Sequence, residues 1–450
     1  MKKLFAGTAL CSLLMAATVV VAQDVKKCAT DELIHSIIAK DPSAQAKLDA
    51  YEKDVQQRAA ILATEQANNA TQKTTASKYS IALAFHVVLT QAQLDQIGGT
   101  QGLYNRVVSQ IEVLNTDFNA QNTDAIPSAF ASLKGNPDMS FGLAHTKPDG
   151  SGTIGIEILI KPAGFTGYEQ TDNSLKRTSA GGLDPWDNSR YLNIWITNIT
   201  TSSGGEILGY AYNPKLASVM LGDPGLMGVV VDFLAFGKRS SVVQQFFVNA
   251  DKGRTMVHEF GHFFTLNHIW GNTSVGNGNC NDDDGVDDTP RQSDANQSNC
   301  PTFPKASCIN ANPGEMFMNY MDYVYDACMA MFSKGQVTRM QSEFVTGGGS
   351  INLPKNINLF SWPSGVENVS MTNEIDVVPN PSNGIFTITY GNGLKQVTIN
   401  NMLGQVVKQI PVTNQQSGTM SVNIIDAGKG MYTIQCLYNE GIVSKKVIVQ

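Results

Sequence analysis

The 450-residue chain predicts an α+β domain followed by a small β-sandwich, and two patterns carry that expectation. Mixed strand and helix signals between Tyr79 and Leu266 lead into one long histidine-bearing helix. The last 77 residues alternate short strands with turn signals. Composition agrees: 42% hydrophobic and 16% charged residues fit globular modules, and the length asks for two or three domains. A net charge of −7 with no basic run longer than a pair such as Lys2-Lys3 argues against nucleic acid as a partner.

Taken in order, Lys2 and Lys3 precede an apolar stretch from Leu4 to Val21 that ends at Ala22. This is the layout of a cleaved export signal over residues 1–22, and no other stretch is apolar enough to leave a transmembrane segment in the mature form. Residues 23–77 are polar, with helical apolar spacing around Leu33, Ile37 and Ile38, and read as a pro-segment ending in an open loop. A catalytic domain is expected over 78–347. Its strand candidates are Ile81–Val88, Phe141–Ala144, Gly155–Ile160, Leu192–Ile199 and Val229–Phe233, with helix periodicity over 101–118. The stretch from Val242 to Leu266 reads as helix, and residues 270–330 read as loops. Residues 348–373, after Thr346-Gly-Gly-Gly-Ser350, read as a linker. The sandwich, over 374–450, has strands expected at Ile385–Tyr390, Gln396–Asn400, Gln405–Ile410, Met420–Ile425, Met431–Tyr438 and Ile442–Val449.

Chemistry concentrates in HEFGHFFTLNH, residues 258–268, which holds three of the six histidines in the chain. Four residues apart on a helix, His258 and His262 share one face and can reach a single zinc ion. His268 lies far enough beyond to close a third side. The fourth position is left for water, as in catalytic rather than structural zinc sites. Glu259 has no ligand duty and can act as general base toward that water. An exported protein also lets Cys280, Cys300, Cys308 and Cys328 pair, in any of three connectivities. Cys28 and Cys436 stand apart and read as unpaired.

The histidine spacing resembles the metzincin clan of metallopeptidases, whose zinc helix is followed by a methionine turn. Asn319-Tyr320-Met321-Asp322-Tyr323 stands where that turn would fall. GRTMVHEFGHFFTLNH, CNDDDGVDDTP and NYMDYVYDACMAMF together are similar to the pappalysin family. The resemblance covers about residues 79–345 and implies a metzincin-type fold: a twisted mixed sheet, an active-site helix and a loop-rich lower part. It implies Met321 as a hydrophobic floor beneath the zinc and Tyr323 as a hydrogen-bond donor to the oxyanion. It also implies disulfides Cys280–Cys308 and Cys300–Cys328, and calcium at Asp284, Asp287 and Thr289. Asp326 matches an aspartate of the S1′ pocket in relatives that cut before Arg or Lys, and Cys28 resembles the cysteine switch of latent forms. The family usually has glycine where this chain has Thr265, so a left-handed turn there would carry strain.

VVPNPSNGIFTI, INNMLGQVV, KGMYTIQ and the terminal KKVIVQ resemble the sorting domain of the bacterial type IX secretion system. The resemblance implies transit through the periplasm and across the outer membrane, to a secreted or cell-surface location, with the type IX machinery as partner. The whole reads as the precursor of a secreted zinc endopeptidase acting on proteins or peptides, and the resemblance at Asp326 implies cleavage before Arg or Lys. The alternative is a secreted zinc-containing binding protein without turnover.

Overall fold

The computed structural model describes all residues except 1–24, 69–78, 202–204, 240–244, 298, 310–311, 362–374, 402–404, 414–415 and 438–441. The expected export signal, the loop after residue 68 and residues 362–373 of the expected linker lie outside the described residues. Among the described residues no helix is long and apolar enough to cross a membrane.

An N-terminal segment comes first: strand β1 (Val25–Lys26), helix α1 (Thr30–Lys40) and helix α2 (Ser43–Asn68). Leu33, Ile34 and Ile37 recur at helical spacing and are buried, which gives α1 one apolar face. They join an apolar cluster with Trp195, Tyr210, Tyr212 and Leu216 of the next domain.

That domain is built on β2 (Tyr79–Thr90), an almost wholly buried strand. Ile81, Leu83, Phe85 and Val87 serve one core while Ala82 and Ala84 join a second cluster and Val88 a third, so both faces of the strand are covered. Helix α3 (Gly99–Asp117) buries Leu103, Val107, Ile111 and Leu114. Strands β3 (Met139–Ala144), β4 (Ile156–Lys161) and β5 (Tyr191–Thr197) all pair with β2 in parallel. A short strand β6 (Glu206–Ile207) precedes β7 (Gly209–Tyr212), and β8 (Gly228–Asp232) lies parallel to β5. The edge strand β7 runs antiparallel to β8. Strand β1 of the N-terminal segment pairs in parallel with β6 in a separate small sheet, and the Ala29 amide then donates to the Gly209 carbonyl of β7 at 3.1 Å.

The helix expected over 242–266 is shorter: α4 spans Arg254–Phe263. Asn249 (φ +65°) and Gly253 (φ +75°) are left-handed, and a left-handed residue ends helical geometry. Val242, Val243 and Gln244 of the expected helix lie outside the described residues, and Gln245 to Ala250 are not helical. Helix α5 (Lys334–Gln341) follows the loop-rich part, capped by the Ser333 side chain. The expected linker is narrower than 348–373, because strand β9 (Phe360–Ser361) pairs antiparallel with β3.

The C-terminal strands fall close to their expected places: β10 (Asp376–Val378), β11 (Ile385–Tyr390), β12 (Gln396–Asn401), β13 (Val406–Pro411), β14 (Gly418–Asn423), β15 (Gly430–Leu437) and β16 (Ile442–Val449). They form two antiparallel sheets, β10-β11-β14 and β13-β12-β15-β16. Phe386, Ile388 and Val422 of one share a core with Val397, Ile399 and Ile434 of the other, which makes a β-sandwich.

Candidate metal centre

Helix α4 puts His258 and His262 one turn apart, with Glu259 beside them, all buried. The helix ends at Phe264, and Thr265 takes φ +72°, turning the chain so that His268 faces back toward the helix. The strain expected at Thr265 is therefore present, costing on the order of 1–3 kcal/mol for a β-branched residue. Arg339 offsets it by donating Nε–H to the Thr265 carbonyl at 2.8 Å. Beneath the helix, a methyl group on Gly261 would overlap the Met321 sulfur and displace it, so glycine lets α4 rest on the methionine turn as it stands. Met321 is wholly buried, and its amide is held by Asn319 Oδ1 at 2.9 Å.

The three rings converge. His262 Nε2 lies 3.1 Å from His258 Nε2 and 3.0 Å from His268 Nε2. Each Nδ1 is already engaged: His258 with the Tyr320 carbonyl (2.7 Å), His262 with the Leu266 carbonyl (2.8 Å) and His268 with Asp31 Oδ2 (2.6 Å). With the Nδ1 hydrogens spent, all three Nε2 lone pairs face one point. Burial holds His258 well below the usual imidazole range and His262 down to about 3, so both rings stay neutral as metal ligation requires. Cys28 Sγ and the three imidazoles offer ligand atoms all within 4.8 Å of one another. Burial, and then Glu259, push the Cys28 thiol well up; a divalent ion at the focus is the charge that would favour thiolate. Three facing lone pairs and a dry thiol fit zinc.

Other expected residues gather around this point. Glu259 Oε2 is 3.5 Å from Cys28 Sγ, its Oε1 is buried without a partner, and burial pushes its carboxyl well above the usual value. A methyl on Gly209 would meet Glu259 Oε1 at 2.9 Å, so edge strand β7 runs directly beside the carboxylate. Tyr323 hydroxyl donates to the Cys28 carbonyl at 3.1 Å, and its ring stands edge-on to His268 at 4.9 Å. Asp326 is buried: Oδ2 accepts from the Lys252 and Arg254 amides at 3.0 and 3.2 Å, capping the start of α4, and Oδ1 faces Lys27 Nζ at 3.4 Å. The Lys27 ammonium also donates to the Val324 carbonyl at 2.6 Å.

Elsewhere, the disulfides join Cys280 to Cys308 and Cys300 to Cys328, while Cys28 and Cys436 are free and buried. Of the acidic loop, the structure brings Asp284 and Thr289 together (2.7 Å) but leaves Asp287 exposed. Asp284 Oδ2 is buried without a partner, and burial pushes the carboxyl up to about 7.

Sequence reasoning missed Lys27 and Asp31. Their partners lie 299 and 237 residues away, and the signal that could have found them is their position on either side of Cys28.

Two imidazoles on a buried helix, a third beyond a left-handed turn and a methionine turn below define a metzincin-type domain. The chain is similar to a promirolysin mutant of Tannerella forsythia, with 33% identity and a TM-score of 0.61, over 74% of this chain and 98% of that one. It therefore belongs to the pappalysin family and carries a type IX secretion sorting domain. The family model described as pregnancy-associated plasma protein-A matches residues 182–345, and that of the secretion system C-terminal sorting domain matches 376–450. Mature mirolysin of Tannerella forsythia in complex with a cleaved peptide is 37% identical, with a TM-score of 0.55, over 64% of this chain and all of that one. An extracellular metalloprotease of Arthroderma benhamiae is 33% identical over 193 residues, 41% of this chain and 62% of the relative. One of Sordaria macrospora is 36% identical over 197 residues, 42% of this chain and 61% of the relative. The chain thus spans about three fifths of the length of these curated relatives.

Proposed function

We propose that the protein is the latent precursor of a secreted zinc endopeptidase. The convergence of three imidazoles beside an unliganded carboxylate supports this reading most directly. Zinc held by His258, His262 and His268 would supply Lewis acidity, lowering the pKa of water toward roughly 7 and polarising a peptide carbonyl. Glu259 takes the proton of the attacking water and passes it to the leaving amine. Tyr323 donates its hydroxyl hydrogen to the carbonyl oxygen as charge develops there.

Residues 23–77 act as the pro-segment. Cys28 takes the place water needs, and Tyr323 is occupied by the Cys28 carbonyl. Lys27 fills the Asp326 pocket as a substrate's basic side chain would, which supports cleavage before Lys or Arg. The acidic loop offers Asp284 and Thr289 to calcium, an ion that would satisfy the lone Asp284 oxygen. The sorting domain directs the protein through the type IX machinery to the cell surface or medium.

Chelator-sensitive hydrolysis of casein or gelatin by the processed domain tests the central reading. Activity should fall about 10²–10⁴-fold in Glu259→Ala while bound zinc stays stoichiometric. Zinc binding with no hydrolysis in the wild type would leave a binding protein instead.

A further inference from the structure

The three imidazoles converge alike but are held differently from behind. The acceptors for His258 and His262 are carbonyls of Tyr320 and Leu266, which remain whatever happens to the N-terminal segment. His268 has its Nδ1 against a carboxylate of that segment, Asp31 in the first turn of α1. The ring is wholly buried and stacked on Trp270, with centroids 4.4 Å apart and planes 9° from parallel. The same segment also braces the turn that delivers His268. Glu52 of α2 meets both terminal nitrogens of Arg339 at 2.5 and 2.7 Å, and Arg339 Nε holds the Thr265 carbonyl.

We infer that Asp31 is a positioning residue of the metal centre. While the segment is docked, its carboxylate takes the Nδ1 hydrogen of His268, fixes the ring, and presents a more basic Nε2 to zinc. A carboxylate behind a ligating imidazole sets the tautomer and raises ligand basicity, and losing such a partner typically costs 10–100-fold in metal affinity. The N-terminal segment therefore does two separable things at the metal: Cys28 closes the open side, and Asp31 secures the third ligand. Maturation removes both, leaving His268 as the one ligand whose outer partner has gone. This inference rests on the zinc and pro-segment readings above.

The test measures metal affinity rather than activity. Zinc is titrated against a chromophoric chelator in the intact precursor, as wild type, Asp31→Ala and Asp31→Asn. Cobalt-substituted samples report the sulfur-to-metal charge-transfer band of Cys28, and so whether the segment remains docked. We expect Asp31→Ala to weaken zinc binding about 10–100-fold with the band retained. Asp31→Asn keeps a carbonyl acceptor and should recover part of the loss. Unchanged affinity in Asp31→Ala with the band intact overturns the inference. Loss of the band together with affinity also overturns it, because Asp31 would then dock the segment rather than position the ligand. A wild-type precursor that binds no zinc would instead sink the zinc reading itself.

Discussion

What lies below the three imidazoles differs in kind from what lies above them. The floor is the domain's own: Met321, Gly261 and the carbonyls of Tyr320 and Leu266, all fixed by local packing. The roof comes from five residues of the N-terminal segment, Lys27 to Asp31, and its contacts to the site are polar or charged. A floor of packed side chains and hydrogen-bonded carbonyls holds geometry that is costly to disturb. A polar roof can be exchanged for water and substrate, since each of its partners is solvable once exposed. The centre is floored by the domain itself and covered by the N-terminal segment.

The sharpest way to break this contrast is Cys28→Ala. It removes the sulfur from the roof without touching the floor, so the precursor's peptidase activity should rise from background toward that of the processed domain. A precursor as inactive as before would show that the roof blocks by bulk alone. Next in size is Asp326→Asn in the processed domain. Losing a charge-assisted contact of about 1.5–3 kcal/mol should lower the preference for Lys or Arg after the cut roughly 10–100-fold. A peptide-library digest reads that ratio directly.

The floor is probed by stability. Met321→Ala leaves a cavity beneath α4 and should cost about 2–5 kcal/mol, seen as a lower midpoint in denaturant. A loss under 1 kcal/mol would mean that the floor is not tightly packed.

The smallest effect concerns pH. Burial opposes the Glu52 carboxylate, but Arg339 and then Lys215 hold it below the usual value of 4.5. Its folded pKa is thus lower than its unfolded one. Its contribution is full above about 4.5 and is lost as pH falls through the lowered value. Limited proteolysis of α2 should accelerate below that pH, and Glu52→Gln should flatten the dependence.

Much of the floor and little of the roof can be read from the sequence. His258, Glu259 and His262 are legible because helical spacing is local. His268 and Met321 are legible through motif spacing, and the expected conflict at Thr265 is present as a left-handed backbone. Lys27 and Asp31 act through contacts across most of the domain, which no local pattern encodes. The start of α4 differs from the expected helix for a related reason. Its first amide, Arg254 N–H, donates to Asp326, more than 70 residues downstream, rather than to a neighbouring side chain. Strand β7 escaped notice because four residues, Gly209–Tyr212, are too few to show alternation.

Strand β9 has a practical bearing on how the sandwich can be separated from the rest. Phe360 is buried and its strand hydrogen-bonds along β3, so chain trimmed at residue 347 would strip a stave from the sheet and bare a sticky margin. Any natural or laboratory scission that frees a well-behaved enzyme body should therefore fall after Ser361.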